Sequence, residues 1–311
     1  MDYKEEYNEL CKKRMKDILN YFITYCDNHG LRYFCSQGTA LGVMRHHGFI
    51  PWDDDVDVMM PRPDYEKLMK IYSDDFSNSY ELVTPYNTPN YYLPFAKIID
   101  KKSTIIERRK IPCTLGLFID IFPLDGMPED EVEINSLSDT YCKYRQRLTE
   151  VSSREGIIDF LYFLLTGQFG RVKRNIKYLF KRTSCRKDIL NKLKEIGDKY
   201  PFDSADRVSV EDSDTIYHPF PKDWLDPPVL MAFDELKVAM PCKSDDYLKH
   251  AYGNYMQYPP VEQRVNNHMD ALFYFNLNER KEHHEVKNEI LKEYFHKRVK
   301  AVFSKLNSVF L

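Results

Sequence analysis

Apolar residues recur three or four apart from the start of the chain: Tyr7, Cys11, Met15, Ile18, Phe22 and Cys26. That is the period of one buried face of an α-helix. Asn28-His29-Gly30 ends the pattern, and Asn and Gly tolerate the left-handed backbone that closes a helix. Leu31 to Ser36 then reads as a short strand. Gly38-Thr39 and the apolar stretch Ala40 to Met44 follow as a helical turn. The alternation Asp55-Val56-Asp57-Val58-Met59 predicts a strand, and Asp64 to Tyr72 the next helix. Further strands are expected at Tyr80 to Thr84, Phe95 to Asp100, Ser103 to Glu107 and Leu117 to Phe122. From Asp130 to Ile196 the chain turns helical and basic. Short strands (Arg207 to Val210, Leu236 to Met240), a helix from Asp245 to Tyr252 and a long helix from Val286 onward complete the reading. This order is α+β and lacks the regular alternation of a doubly wound sheet. It divides into a catalytic core over 1–128, a mainly helical basic insertion over 129–201, and a C-terminal part over 202–311 that completes the domain.

The feature that changes the picture is the acidic run Asp53, Asp54, Asp55 and Asp57. Like charges this close are either solvated or hold cations, because uncompensated charge is costly to bury. Pro51 and Trp52 before the run, and Val56, Val58, Met59 and Met60 around Asp57, make the setting apolar. On a strand, residues two apart share a face. Asp55 and Asp57 therefore project together, Asp53 joins them if the extension continues, and Asp54 points to the opposite face. Oxygen ligands in this arrangement suit one or two hard cations, magnesium by default and manganese as a substitute. An EF-hand does not fit: its sixth loop position would be Val58 instead of Gly, and its last would be Asp64 instead of Glu.

A second carboxylate, Asp120, sits inside the apolar strand of LGLFIDIFPLDG. It is either paired with a Lys or Arg or supplies a third metal ligand facing Asp55 and Asp57. Asp125 in Leu124-Asp125-Gly126 reads as a turn residue. Gly38-Thr39, at the start of a helix, offers backbone N–H groups and a hydroxyl to phosphate. Arg45, whose fork matches phosphate oxygens, and Lys97 in FAKIID are the candidate cations for that phosphate. Each reads equally as a surface charge or a partner for the aspartates. His46 and His47 read as structural. Tyr252, Tyr255 and Tyr258 are placed either to line a headgroup or nucleotide pocket or simply to pack.

Composition narrows the field further. Of 311 residues, 43% are hydrophobic and 30% charged, a globular balance. The net charge of −3 argues against a nucleic-acid partner. Seven scattered cysteines without a C-x-x-C pair fit a reducing compartment. The polar N-terminus carries no secretory pattern, and no apolar run approaches the ~20 residues of a spanning helix; both point to the cytoplasm. One region departs from the average. Ile157 to Leu165 is apolar apart from Asp159, and RVKRNIKYLFKRTSCRK (171–187) has eight basic residues and no acid. Val172, Ile176, Leu179 and Phe180 share a helical face there. Residues 157–187 thus read as a peripheral contact with the inner membrane face or as a basic helix packed on the domain.

Three blocks carry a family resemblance: GTALGVMRHHGFIPWDDDVDVMMPRPDYEKL, GLFIDIFPLDG and AYGNYMQYPP, spanning residues 38 to 260. They resemble the LicD family, whose relatives include fukutin and fukutin-related protein, within the nucleotidyltransferase-fold superfamily. The resemblance implies a nucleotidyltransferase-like mixed sheet flanked by helices. It assigns Gly38 and Thr39 to the phosphate-side turn and Asp55, Asp57 and Asp120 to the metal-binding carboxylates. Arg45 matches the arginine of the family's Arg-His signature, and Asp53 is expected to assist the carboxylates from its own place in the acidic run. It further implies transfer of a phosphorylated alcohol, classically phosphocholine, from a CDP-activated donor to a glycan hydroxyl with release of CMP. Such a glycan would belong to lipopolysaccharide, teichoic acid or capsule, and could be lipid-linked. Two alternatives stay open at this point: a nucleotidyltransferase adding NMP to a small molecule or protein, and a non-catalytic nucleotide-binding protein.

Overall fold

The computed structural model describes residues 3–72, 78–210, 218–264 and 272–286. Helix α1 (Tyr3–His29) ends at Gly30, whose φ of +59° is the left-handed closure expected there. Its buried stripe is Cys11, Met15, Ile18, Leu19, Phe22 and Cys26, so the helical period in the sequence marks the face that meets the core. Next come strand β1 (Phe34–Cys35), helix α2 (Gln37–His46), strand β2 (Asp57–Pro61) and helix α3 (Arg62–Tyr72). β2 is buried at every position, and its middle three side chains are accordingly Val58, Met59 and Met60, with the carboxylate of Asp57 the exception at its start.

Strands β3 (Tyr80–Val83), β4 (Ala96–Asp100), β5 (Thr104–Ile106) and β6 (Phe118–Met127) follow. β6 is the spine of the main sheet, whose order is β1-β2-β6-β4-β3. On one edge, Asp120 to Leu124 pair in parallel with Asp57 to Pro61 of β2. On the other, Phe118 to Ile121 pair antiparallel with β4. Beyond them, Leu124 to Met127 take up β7 (Arg207–Val210), which in turn holds β8 (Phe220–Pro221). The result is a mixed sheet with α1, α2 and α3 packed around it, an α+β architecture.

The long span after β6 is helical: α4 (Glu131–Ser152), α5 (Ile157–Leu165) and α6 (Phe169–Gly197). Asp130 caps α4 by accepting from the Glu133 N–H at 2.8 Å. The inner faces of α4 and α6 form a core of their own around Ile134, Leu137, Tyr141, Leu148, Ile189, Leu190 and Leu193. α6 leaves helical geometry at Lys181, so its two halves diverge there. The hairpin of β9 (Val229–Phe233) and β10 (Leu236–Met240), helix α7 (Ser244–Tyr252), and β11 (Tyr274–Asn276), which pairs with β5, complete the described chain. The terminal helix expected from Val286 onward falls almost wholly outside the described residues.

Two expectations are corrected here. The strand anticipated from Asp55 begins at Asp57, leaving Asp53 to Asp55 in the preceding loop. Asp125 is no turn residue. It lies within β6, fully buried, where both its oxygens accept from Arg62 at 2.5 Å and so tie α3 to the sheet. Gly126 continues the strand in register with Val208, and it has to be glycine because the Tyr200 carbonyl oxygen would stand 2.5 Å from any Cβ there. Tertiary packing thus overrides the local turn signal of Asp-Gly.

Candidate active site

Three adjoining strands set the base of the site. In register, Asp57 of β2 stands beside Asp120 of β6, and Asp120 stands beside Lys97 of β4. Residues in register on neighbouring strands project to the same side, so the sheet presents a row of carboxylate, carboxylate and ammonium. Lys97, 2% exposed, donates to Asp120 Oδ1 at 2.6 Å and lies 3.7 Å from Glu107 Oε1. Its ammonium also sits 3.3 Å from the centre of the Phe118 ring. Burial works against that charge, yet Asp120 and Glu107 outweigh it and the Lys97 pKa is raised.

The two carboxylates differ in how far they are compensated. Asp120 is pushed up to about 6, by burial first; Lys97 pulls the other way, and Glu107 and Asp55 add to the rise. Asp57, only 6% exposed, is raised well above the usual carboxylate range by burial and then by Asp55, Asp120 and Asp53. Among the described residues its side chain accepts no hydrogen bond, and Lys97 relieves it only at a distance. A buried carboxylate surrounded by other carboxylates and lacking a donor is the arrangement a hard cation satisfies.

The loop above supplies the rest. Carboxylate oxygens of Asp53, Asp54 and Asp55 all lie within 4.8 Å of one another. Within that run Asp53 and Asp55 act on Asp57, whereas Asp54 acts on Cys11 of α1, in line with the expectation that Asp54 turns the other way. The trio Asp55, Asp57 and Asp120 is wider, and does not meet that 4.8 Å distance as a group. Asp120 is drawn toward Lys97, on the far side from β2. Asp53 rests on the first turn of α2: a Cβ on Gly38 would stand 2.7 Å from its Oδ2. In the same turn Thr39 Oγ1 accepts the Asp57 N–H at 2.8 Å, and the Ser36 N–H donates to the Asp57 carbonyl at 3.0 Å. The turn and the buried carboxylate are therefore joined directly.

A wall of rings and cations flanks the loop. Arg45 lies 4.8 Å from the Tyr258 ring centre and 5.9 Å from that of Trp52, while Arg264 lies 5.3 Å and 5.4 Å from the same rings. Arg45 also donates to the Tyr255 carbonyl at 2.9 Å. Burial lowers its pKa, and Tyr258 and Asp53 oppose that fall, which sets Arg45 beside the acidic loop. His46 meets Trp52 and Tyr258 edge-on. The Tyr252 hydroxyl is raised by burial, by Tyr247 and by Asp57, Asp53 and Asp55, so it too faces the carboxylates. Tyr255 instead donates to Asp245 at 2.9 Å.

The structure thus gathers Gly38, Thr39, Arg45, Asp53, Asp55, Asp57, Asp120 and Lys97 into one cluster at the start of β2 and its neighbouring strands. Lys97 enters as the buried partner of Asp120 and not as an open phosphate ligand. Glu107, Trp52 and Arg264 were not singled out by sequence reasoning. Glu107 follows an ordinary strand and Arg264 lies more than 200 positions from Arg45, so neither carries a local signal.

Comparison with known proteins follows the same residues. Residues 30–150 match the family described as LicD/FKTN/FKRP, nucleotidyltransferase domain. That span holds the α2 turn, the acidic loop, Lys97, Glu107 and Asp120. Over 277 residues the chain is 27% identical to the lipopolysaccharide cholinephosphotransferase LicD of Haemophilus influenzae, covering 83% of this chain and 94% of that protein.

Proposed function

Because the chain belongs to the LicD family, we propose that it transfers a phosphorylated alcohol headgroup, phosphocholine in the first place, from a CDP-activated donor to a hydroxyl of a cell-surface glycan. The relative's name supports phosphocholine as the group and lipopolysaccharide as the acceptor class. The observation that carries the reading is Asp57: buried, without a donor of its own, beside Asp120 and beneath Asp53 and Asp55. Such a site fits magnesium or manganese, held by Asp55 and Asp57 with Asp120 or Asp53 completing the oxygen set. When bound, the cation would neutralise donor phosphate oxygens and favour ionisation of the acceptor hydroxyl.

The chain's own groups account for positioning and proton transfer. The acceptor oxygen forms a bond to the headgroup-bearing phosphorus as the bond from that phosphorus to the bridging diphosphate oxygen breaks, and CMP leaves with that oxygen. With Asp53 completing the cation's oxygen set, Asp120 is the carboxylate placed to receive the hydroxyl proton. Lys97 anchors one Asp120 oxygen and leaves the other to act. The N–H groups of the Gly38-Thr39 turn, with Arg45 and Arg264, meet the diphosphate charge, and the Trp52 and Tyr258 rings hold the two guanidiniums in place for it.

The test is incubation of the purified chain with magnesium, CDP-choline labelled in choline or in cytidine, and delipidated or intact lipopolysaccharide. Choline label on the glycan together with free CMP supports the proposal. Cytidine label on the acceptor would establish nucleotidyl transfer in its place. Asp57→Asn is expected to remove the activity while the protein stays folded.

A further inference from the structure

The helical span presents a surface that the transfer site does not use. Along the first half of α6, Phe169, Ile176, Leu179 and Phe180 are exposed, Leu179 by 73% and Phe180 by 83%. Across the short turn, α5 adds exposed Leu161 and Leu164. This is not the face that packs. Tyr178, on the opposite side of the helix, turns into the core shared with α4, while Val172, on the same side as Ile176 and Leu179, is the one apolar residue of the outer side that is covered. α6 is thus apolar on two sides, and one of them, Val172 apart, has no protein against it among the described residues. Contiguous apolar surface of this kind on a helix marks a docking site.

Charge identifies what docks. The segment 171–187 has eight basic residues and no acid; Arg171 lies over the Phe163 ring and Lys187 is exposed, and the structure sorts the other six into two sets. Arg174, Arg182 and Arg186 turn inward, to Glu150, to the Val151 and Ser153 carbonyls, and to Ser152, Pro85 and Tyr91. Lys173, Lys177 and Lys181 are exposed and make no ion pair among the described residues. On the helix Lys173 and Lys177 flank Phe169, Ile176 and Phe180, at positions three and four away. The one acid of the apolar run, Asp159, is buried; it holds Lys110 at 3.4 Å and accepts from the Gly156 N–H. The exposed face therefore combines bulky apolar side chains with unpaired ammonium groups and no carboxylate. A protein groove would supply acids at particular points, whereas lysines spread along an apolar stripe suit a surface of uniform negative charge.

We propose that the outer face of α5 and the first half of α6 is a peripheral anchor for an anionic lipid bilayer, with Leu179, Phe180 and Phe169 entering the acyl boundary and Lys173, Lys177 and Lys181 meeting lipid phosphates. No helix among the described residues is long and apolar enough to cross a membrane, so the contact is interfacial. The kink at Lys181 separates the inserted half from the half that packs on α4. This inference does not depend on the proposed transfer reaction.

The full chain is tested by co-sedimentation with phosphatidylcholine vesicles, with and without about one-quarter phosphatidylglycerol. Binding is expected only with the anionic lipid and is weakened by salt. Leu179→Ser with Phe180→Ser is expected to weaken it about a hundredfold, from the loss of two large apolar side chains. Lys173→Glu with Lys177→Glu removes the preference for anionic vesicles. Circular dichroism and activity on delipidated acceptor serve as folding controls, since none of these residues touches the carboxylate cluster. Equal, negligible sedimentation with both vesicle types overturns the proposal. So does a dimer, seen by analytical ultracentrifugation, that the Leu179/Phe180 variant abolishes while vesicle binding is absent.

Discussion

Replacing Asp57 by asparagine is expected to move stability and activity in opposite directions. Neighbouring strands lie about 4.8 Å apart, and Asp57 and Asp120 are in register across that gap. Their mutual repulsion adds to burial in raising the Asp57 pKa well above its ordinary value, and each pH unit of that rise costs the metal-free fold about 1.4 kcal/mol at neutral pH. Asparagine removes that repulsion, and the contributions of Asp53 and Asp55, but leaves a buried amide without a partner, which costs about 1–2 kcal/mol. The metal-free variant should therefore be about 1–2 kcal/mol more stable than the parent at neutral pH, an increase in Tm of about 2–6 °C. Differential scanning fluorimetry in EDTA, and again with magnesium or manganese, reads both halves. The parent gains stability when the cation is added; the variant starts higher and gains little. Transfer activity is lost in step with the lost cation response. A variant less stable than the parent in EDTA, or one keeping the full cation-induced shift, would refute the reading of Asp57 as an uncompensated ligand.

Other outcomes follow from the same geometry. Asp120 rises from 3.8 to about 6 on folding, so between those values the folded state holds more protons than the unfolded one. Its contribution to stability is full below about pH 4 and falls by about 3 kcal/mol as pH rises through 6. The difference between parent and Asp120→Asn in urea midpoint, measured in chelator, should shrink or invert from pH 7 to pH 4.5; a pH-independent difference counts against the assignment. Arg62→Ala strands the fully buried Asp125 and should cost about 3–5 kcal/mol by urea unfolding, with kcat per folded molecule little changed. Gly38→Ala pushes Asp53 from its seat, since the new Cβ meets only the end of that side chain at 2.7 Å. Stability should hold, while calorimetric titration with manganese shows weaker binding; unaltered affinity would place Asp53 outside the ligand set.

Much of this was legible in the chain because the relevant periods are local. The stripe of α1, the helix from Asp245 and the strands at Tyr80, Ala96 and Arg207 follow from residue spacing alone. The chemistry was legible for a different reason: carboxylates among Val, Ile and Met are anomalous wherever they occur, so Asp57 and Asp120 stand out before any partner is known. What spacing does not convey is which strands meet. The parallel pairing that sets Asp57 against Asp120 joins residues more than sixty apart, and only the fold shows that Lys97 comes from the next strand over. Arg62 and Asp125 illustrate the opposite failure. The turn chemistry of Asp-Gly was read correctly as a local preference, and a buried bidentate ion pair with a neighbouring helix overrode it.

The peptide of Asp57 is held by its neighbours in an unusual way. Its N–H is taken by a threonine hydroxyl and its carbonyl by the amide of Ser36, both from the start of α2. A helix thereby occupies the place of a strand at that rung. One consequence concerns variation. The loop of residues 47–52 is tied down on its own account, with the His47 carbonyl accepting from the Asp234 N–H at 2.6 Å and Ile50 buried, so an insertion there would displace Trp52 from the ring wall while leaving the rung between Thr39 and Asp57 in place. Thr39, by contrast, has little latitude. Serine preserves the rung, and valine, equal in shape, disconnects it. A helix that shifts when anionic substrate arrives at its first turn would carry along the backbone of Asp57, the first residue of β2, so occupancy at the turn is felt at the edge of the sheet where the carboxylates stand.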